Sequence, residues 1–551
     1  MRKTQLFGGW MLILFLFVSI NAQESNSEAK DYVLKSDLHV EMADGIHLAT
    51  DIYLPREEGQ FPCVLIRSPY NKNHSKKDAE WFVQQDVAVV VQDTRGKFAS
   101  EGKFYPFWHE RCDGLACVEW IRRQPWFGGK IGGWGGSYVG YTQWAISDAL
   151  DALTPLLTSA EMYGLIYPGG LFSLASAFNW GLVVNAQKNN PIPPQKILDA
   201  YGRLPLSVAD DSTGFPNQFL DDWLRHEIED HYWQRMNHRG PVTAPVLSVA
   251  GWYDIFLKSQ ITDFQKLDSG IHPASRLIIG PLVHGKPAVE MDWGGEEKTG
   301  DFQGLARQFL VAQLTDASKD WLLPPFKPNR YSLFIMQRNE YYGCDKWPPK
   351  SVSFQSYYLN DNQKLSPAPS SEKSKVEFTY DPMNPFISKG GTFLGVGVGP
   401  AWQNDNLNRK DQAAFESEVF EQPLTLLGPI DAVIYCRTDA PATDFIACLQ
   451  DVYPDGQILN IQEGGTSVSG DTTCTSRFRR AELSLWATGY EIAKGHKLRL
   501  VLTSSLFPRF NRNLNNAESI FEARKSRVAR QEIYFGKDHP SRVILPVLKA
   551  E

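Results

Sequence analysis

Between residues 132 and 140 the chain reads Gly-Gly-Trp-Gly-Gly-Ser-Tyr-Val-Gly, a single serine hemmed in by five glycines. Three structures use such a stretch: a phosphate-cradling loop, a flexible turn, and a sharp strand-to-helix turn that exposes the serine. A phosphate loop needs a lysine after its glycines, and none follows here. Lys130 to Gly133 reads as a brief strand and Tyr138 to Ala149 as a helix, which puts Ser137 at the junction. A turn of that kind strains the backbone at the serine and needs small residues where the helix crosses the strand, so the glycines have a steric reason. A merely flexible turn needs no helix directly after it. One departure stands: the usual spacing is Gly-x-Ser-x-Gly, and here Val139 fills the slot of the second glycine, with Gly140 one place late.

The surrounding pattern is that of an α/β fold. The segment His39 to Leu54 alternates around Asp44-Gly45, a strand, tight turn and strand. Cys63 to Ile66 and Val87 to Val91 are short apolar runs of the kind found in buried parallel strands, and Asp78 to Gln85 and Asp113 to Arg123 read as helices. A catalytic serine on this fold needs an acid and then a histidine later in the chain, each after a strand. Pro245 to Ala250 is a strand, and Gly251-Trp252-Tyr253-Asp254 follows it; Arg276 to Ile279 is another, followed by Gly280-Pro281-Leu282-Val283-His284. Alone, Asp254 reads first as a helix cap or loop carboxylate and His284 as a surface histidine. Together, in order and each behind a strand, Ser137, Asp254 and His284 read as nucleophile, orienting acid and base.

The oxyanion formed by attack needs donors, and the backbone N–H of Tyr138, first in its helix, is one. The Gly-rich loop that supplies the second donor in many esterases is absent. Instead the strand Val64-Leu65-Ile66 runs into Arg67-Ser68-Pro69-Tyr70-Asn71-Lys72, where Tyr70 offers a phenol hydroxyl or, equally, a ring packed under a cap.

GGSYVG, RSPYNK, Asp93-Thr94-Arg95-Gly96 with Ser100-Glu101-Gly102, Gln124-Pro125-Trp126, GWYD and GPLVHG together resemble the cocaine-esterase, X-Pro dipeptidyl-peptidase and α-amino-acid ester hydrolase superfamily. In that family the late glycine is usual. The resemblance covers nearly the whole mature chain and implies Ser137, Asp254 and His284 as the catalytic set, with Tyr70 as the side-chain oxyanion donor. It also fits the remaining segments: an α/β-hydrolase domain over 34–144 and 240–347, an aromatic helical cap over 145–239, and a C-terminal jelly-roll β-sandwich over 348–551, where short alternating strands are separated by turns such as Asp381-Pro382 and Asp455-Gly456. The cap helices are expected over Phe172 to Gln187, Gln195 to Tyr201 and Phe219 to Trp233.

Composition narrows the function. A net charge of −7 offers no basic surface for nucleic acid. The cysteines lack metal-ligand spacing, and no metal or cofactor is implied. Arg2 and Lys3 ahead of the apolar run Leu6 to Val18, then Ser19-Ile20-Asn21-Ala22, form a signal peptide over 1–22, so the mature protein is expected to be secreted or periplasmic and free of the membrane. The expected substrate is a small ester, an amide or a short peptide. A free-amine substrate requires a carboxylate near the site. The resembling α-amino-acid ester hydrolases keep acids just after the catalytic aspartate, whereas Ile255-Phe256-Leu257-Lys258 stands here. Glu161 in the cap could still serve, which keeps an aminopeptidase-like activity as the alternative within the enzyme class. The competing class is a glycan-binding protein with a vestigial hydrolase domain.

Overall fold

The apolar run Ala88-Val89-Val90-Val91 has no accessible surface, because its strand lies inside a sheet covered on both faces. The structure, a computed structural model, describes residues 31–185, 192–237, 240–267, 270–315, 320–469 and 478–549; the expected signal peptide lies outside the described residues. The first sheet is built from β1 (Val33–Glu41), β2 (His47–Leu54), β3 (Phe61–Ser68), β4 (Ala88–Asp93), β5 (Phe127–Gly136), β6 (Ala152–Leu156), β7 (Leu247–Tyr253) and β8 (Arg276–Val283). After a short β9 (Gly285–Pro287) it is completed by β10 (Tyr331–Ile335) and β11 (Glu340–Cys344). The spatial order is β1-β2-β4-β3-β5-β6-β7-β8-β10-β11. Every neighbouring pair from β4 to β10 is parallel, while β1, β2 and β11 run against their neighbours. Parallel strands send their C-terminal ends to one edge, so the residues after β3, β5, β7 and β8 gather there.

Helices α1 (Lys76–Val83), α2 (Glu110–Arg122) and α3 (Tyr138–Ala145) flank this sheet, and α3 ends earlier than its apolar pattern suggests, passing into a single 3-10 turn at Ser147–Ala149. The expected cap boundary needs correction. Residues 145–239 include β6, which lies in the sheet between β5 and β7. Pro155 in its middle obscures the strand in the sequence, since proline has no N–H for a ladder. The Gln260 side chain fills the gap: its amide N–H donates to the carbonyls of Pro155 (3.2 Å) and Val249 (2.9 Å), joining β6 to β7.

The cap therefore begins after β6 and contains α4 (Tyr163–Ile166), α5 (Leu174–Asn185), α6 (Pro194–Tyr201), α7 (Gln218–Arg225) and α8 (His231–Gln234). In α7 the spacing of Phe219, Leu220, Trp223 and Leu224 buries one face and leaves Asp221, Asp222 and Arg225 outward. The single helix expected over Phe219 to Trp233 is two, because the backbone leaves helical geometry at His226 and restarts where Asp230 caps Tyr232 N–H.

From Val352 to Leu548 the described chain is an all-β domain whose strand Ala442–Val452 is buried for ten of its eleven residues, Val452 alone being half-buried. It docks on the cap through the loop around Phe507 to Asn513: Ala175 N–H donates to Pro508 C=O, Asn511 N–H to Phe172 C=O, and Arg512 to Gly202 C=O. One segment, Gly395–Val398, leaves this domain and pairs in parallel with β9, directly behind His284.

Candidate active site

Ser137 stands between β5 and α3 with φ 55° and ψ −128°. A non-glycine residue held there is strained, and the strain is sustained by bonds on both sides of the serine. Its N–H donates to Leu156 C=O (2.9 Å), and its carbonyl accepts from the amides of Gly140 and Tyr141 (3.0 Å each) and from Thr158 Oγ1 (2.7 Å). The glycines answer to contacts. At Gly135, φ 127°, a Cβ would lie 2.5 Å from Val139 Cγ1, and at Gly140 it would lie 2.4 Å from Thr158 Cγ2. The late glycine is thus where α3 crosses the segment after β6.

His284 follows β8, and its Nε2 is 3.1 Å from Ser137 Oγ. Its Nδ1 is 2.7 Å from Oδ2 of Asp254, which follows β7 and is fully buried. The other Asp254 oxygen accepts from Phe256 N–H (2.8 Å), so the carboxylate is fixed from both sides. The Phe256 ring lies 5.4 Å from the imidazole, centre to centre. The three residues named from the sequence are therefore brought into one hydrogen-bonded line. Such a line can move a proton from the serine hydroxyl to the imidazole while the aspartate orients the ring.

Both proposed donor residues are at the same place. Tyr138 opens α3, so its N–H has no acceptor within the helix. Its phenol donates to Glu110 Oε1 (2.7 Å) and accepts from Phe107 N–H (3.0 Å), and Glu110 is itself paired with buried Arg67 (2.9 Å). Burial pushes the Glu110 carboxyl up against the opposing pull of Arg67. The Tyr70 hydroxyl has side-chain partners from two directions. The hydroxyl accepts from Trp180 Nε1 (2.8 Å) and is a hydrogen-bond partner of the Ser137 side chain. Burial pushes this phenol up to about 12, so at neutral pH it keeps its proton.

Beside Ser137 and His284 opens a small cavity of about 40 Å³ whose walls include Phe107, Met162, Ile166, Trp180, Trp223 and Leu394. Among the described residues, no carboxylate lines it. Glu161 lies outside this lining: its two oxygens accept from Gly164 N–H (2.9 and 3.0 Å) and one faces Ser259 Oγ (3.4 Å). Sequence reasoning did not single out Trp180, Phe107 or Leu394, which come from the cap, the core and the all-β domain; nothing in their local patterns distinguishes them from ordinary core residues.

Residues 44–286 match the family described as X-Pro dipeptidyl-peptidase (S15 family), and residues 327–544 match the X-Pro dipeptidyl-peptidase C-terminal non-catalytic domain. The chain is 28% identical to the cocaine esterase of Rhodococcus sp. (strain MB1 Bresler), over 94% of this chain and 99% of that protein. Among solved structures it resembles an aminopeptidase from a marine sediment Thaumarchaeota archaeon, with TM-score 0.79 and 20% identity over 96% of this chain and 99% of the other. An α-amino-acid ester hydrolase superposes with TM-score 0.76 and 19% identity over 98% of this chain and 100% of the other. These two likenesses are of fold.

Proposed function

The chain belongs to the cocaine-esterase, X-Pro dipeptidyl-peptidase and α-amino-acid ester hydrolase superfamily and is a serine hydrolase; from that premise we propose an exported enzyme that cleaves an ester or amide of an uncharged acyl group through an acyl-Ser137 intermediate. The observation that carries the reading is the hydrogen-bonded line Ser137–His284–Asp254 opening on a cavity that no carboxylate lines among the described residues. His284 Nε2 takes the Ser137 proton as Oγ bonds to the substrate carbonyl carbon, and Asp254 stabilises the resulting imidazolium. The carbonyl oxygen gains charge and is met by Tyr138 N–H and Tyr70 O–H. His284 then returns the proton to the departing alcohol or amine, and water repeats the sequence on the acyl-serine, releasing the acid. Export is supported by the apolar run Leu6 to Val18 behind Arg2 and Lys3.

A fluorophosphonate probe tests the nucleophile. Wild-type protein should be labelled on the peptide containing Ser137, and folded Ser137→Ala should be neither labelled nor active. Unlabelled wild type would instead favour the glycan-binding alternative. A panel of esters tests the acyl group: acetyl and butyryl esters should be hydrolysed at least as well as esters of free amino acids. A preference of about 100-fold for the free amine, roughly 2.7 kcal/mol on the transition state, would return the aminopeptidase-like reading to first place.

A further inference from the structure

Trp180 belongs to the cap, yet its indole N–H reaches the Tyr70 hydroxyl on the hydrolase domain at 2.8 Å. An indole N–H can only donate, whereas a phenol has one proton and two lone pairs. The bond therefore occupies a lone pair of Tyr70 and not its proton, and the Ser137 side chain is a further partner of the same hydroxyl. The indole is also locked in its plane. It lies within 14° of the Tyr138 ring, 18° of Phe107 and 15° of Trp223, with ring centres 5.8, 5.7 and 6.1 Å away. Rotating Nε1 away from Tyr70 would break this stack.

We propose that Trp180 is a positioning residue of the oxyanion site: from the cap, it orients the Tyr70 hydroxyl and strengthens it as a donor while charge develops on the substrate oxygen. The inference rests on the reading of Tyr70 as the second oxyanion donor. As Tyr70 gives up part of its proton to the oxyanion, its own oxygen becomes more negative, and the Trp180 N–H is the group that meets that charge. Hydrogen bonds in a chain polarise one another in this way. The gain is realised in the transition state and not in the bound substrate, so it falls on kcat rather than KM.

The test is a double-mutant cycle on a small-acyl substrate, p-nitrophenyl acetate, with Trp180→Phe and Tyr70→Phe. A second form of the test places β-(3-benzothienyl)alanine at position 180, which keeps the two-ring shape and has sulfur where the N–H was. With Tyr70 present, each change at position 180 should lower kcat about tenfold and leave KM within about twofold; in the Tyr70→Phe background the same change should cost less than about twofold. An equal loss in both backgrounds overturns the proposal, because Trp180 then serves only as cavity wall. A benzothienyl enzyme with wild-type kcat also overturns it, and it reads out even where Trp180→Phe fails to fold. A silent Tyr70→Phe would instead remove the Tyr70 reading, and this proposal with it; a large Tyr70→Phe loss beside a silent benzothienyl variant removes the proposal alone.

Discussion

Tyr138 does two jobs at opposite ends. In the proposed mechanism its amide meets the developing charge, and its phenol is anchored 2.7 Å from Glu110, whose partner is buried Arg67. Arg67 is itself placed by further bonds, from Nε to Gln92 (3.0 Å) and from Nη1 to Glu110 C=O (2.8 Å). Tyr70 is half-buried, at the foot of the cap. Replacing it by Phe keeps the ring and its packing and deletes only the hydroxyl. If that hydroxyl serves the oxyanion, kcat should fall on the order of 10²- to 10³-fold with KM little changed, the loss typical of one donor. Steady-state kinetics on a p-nitrophenyl ester checks this, and a Tyr70→Phe enzyme within about threefold of wild type would move the second donor elsewhere.

At the scale of elements, the histidine loop depends on a strand pairing that spans two domains. β9 begins at Gly285, next to His284, and Gly395 N–H donates to His284 C=O at 3.3 Å. Gly285 has φ 144°, and a Cβ there would lie 1.9 Å from Gly395 C=O. Gly285→Ala should therefore push the strands apart and shift the imidazole, lowering kcat on the order of 10- to 100-fold, as misplacement of a catalytic group by about 1 Å does. Fluorophosphonate labelling should slow in parallel, and an unchanged labelling rate would show that the loop holds its place without the pairing. This pairing was not legible in the sequence, since Gly395-Val396-Gly397-Val398 carries no signal for a partner more than a hundred residues away. Nor was β6, hidden by Pro155, or the indole bond of Trp180, since helix periodicity tells which face is apolar and not which ring nitrogen meets a hydroxyl. The elbow and its partners were legible for a physical reason. A tight strand-to-helix turn excludes side chains, so its need is written as glycines around Ser137, and β5, β7 and β8 lie in chain order, so serine, aspartate and histidine follow one another along one edge of the sheet.

For the whole molecule, the loop that joins the all-β domain to the cap rests on a buried acid. Asp444 accepts from Asn513 Nδ2 at 2.8 Å, and burial pushes its carboxyl up to about 7. An unfolded aspartate titrates near 3.9, so the folded protein holds this proton more tightly. The resulting stability is complete below about pH 4 and is lost as pH rises through about 7. Asp444→Asn keeps the side chain's shape and removes the titration. Between pH 5 and pH 8 the wild type should lose more resistance to urea than Asp444→Asn does; parallel changes in the two proteins would mean that Asp444 is ionised in the fold. The pairing of Gly395–Val398 with β9 also has a consequence in time. A polypeptide made from its N-terminus carries serine, aspartate and histidine long before it carries the strand that pairs beside the histidine or Leu394, which lines the cavity. A nascent chain therefore holds its full set of reactive groups before their surroundings are complete, and full activity is expected only once that later strand has been made.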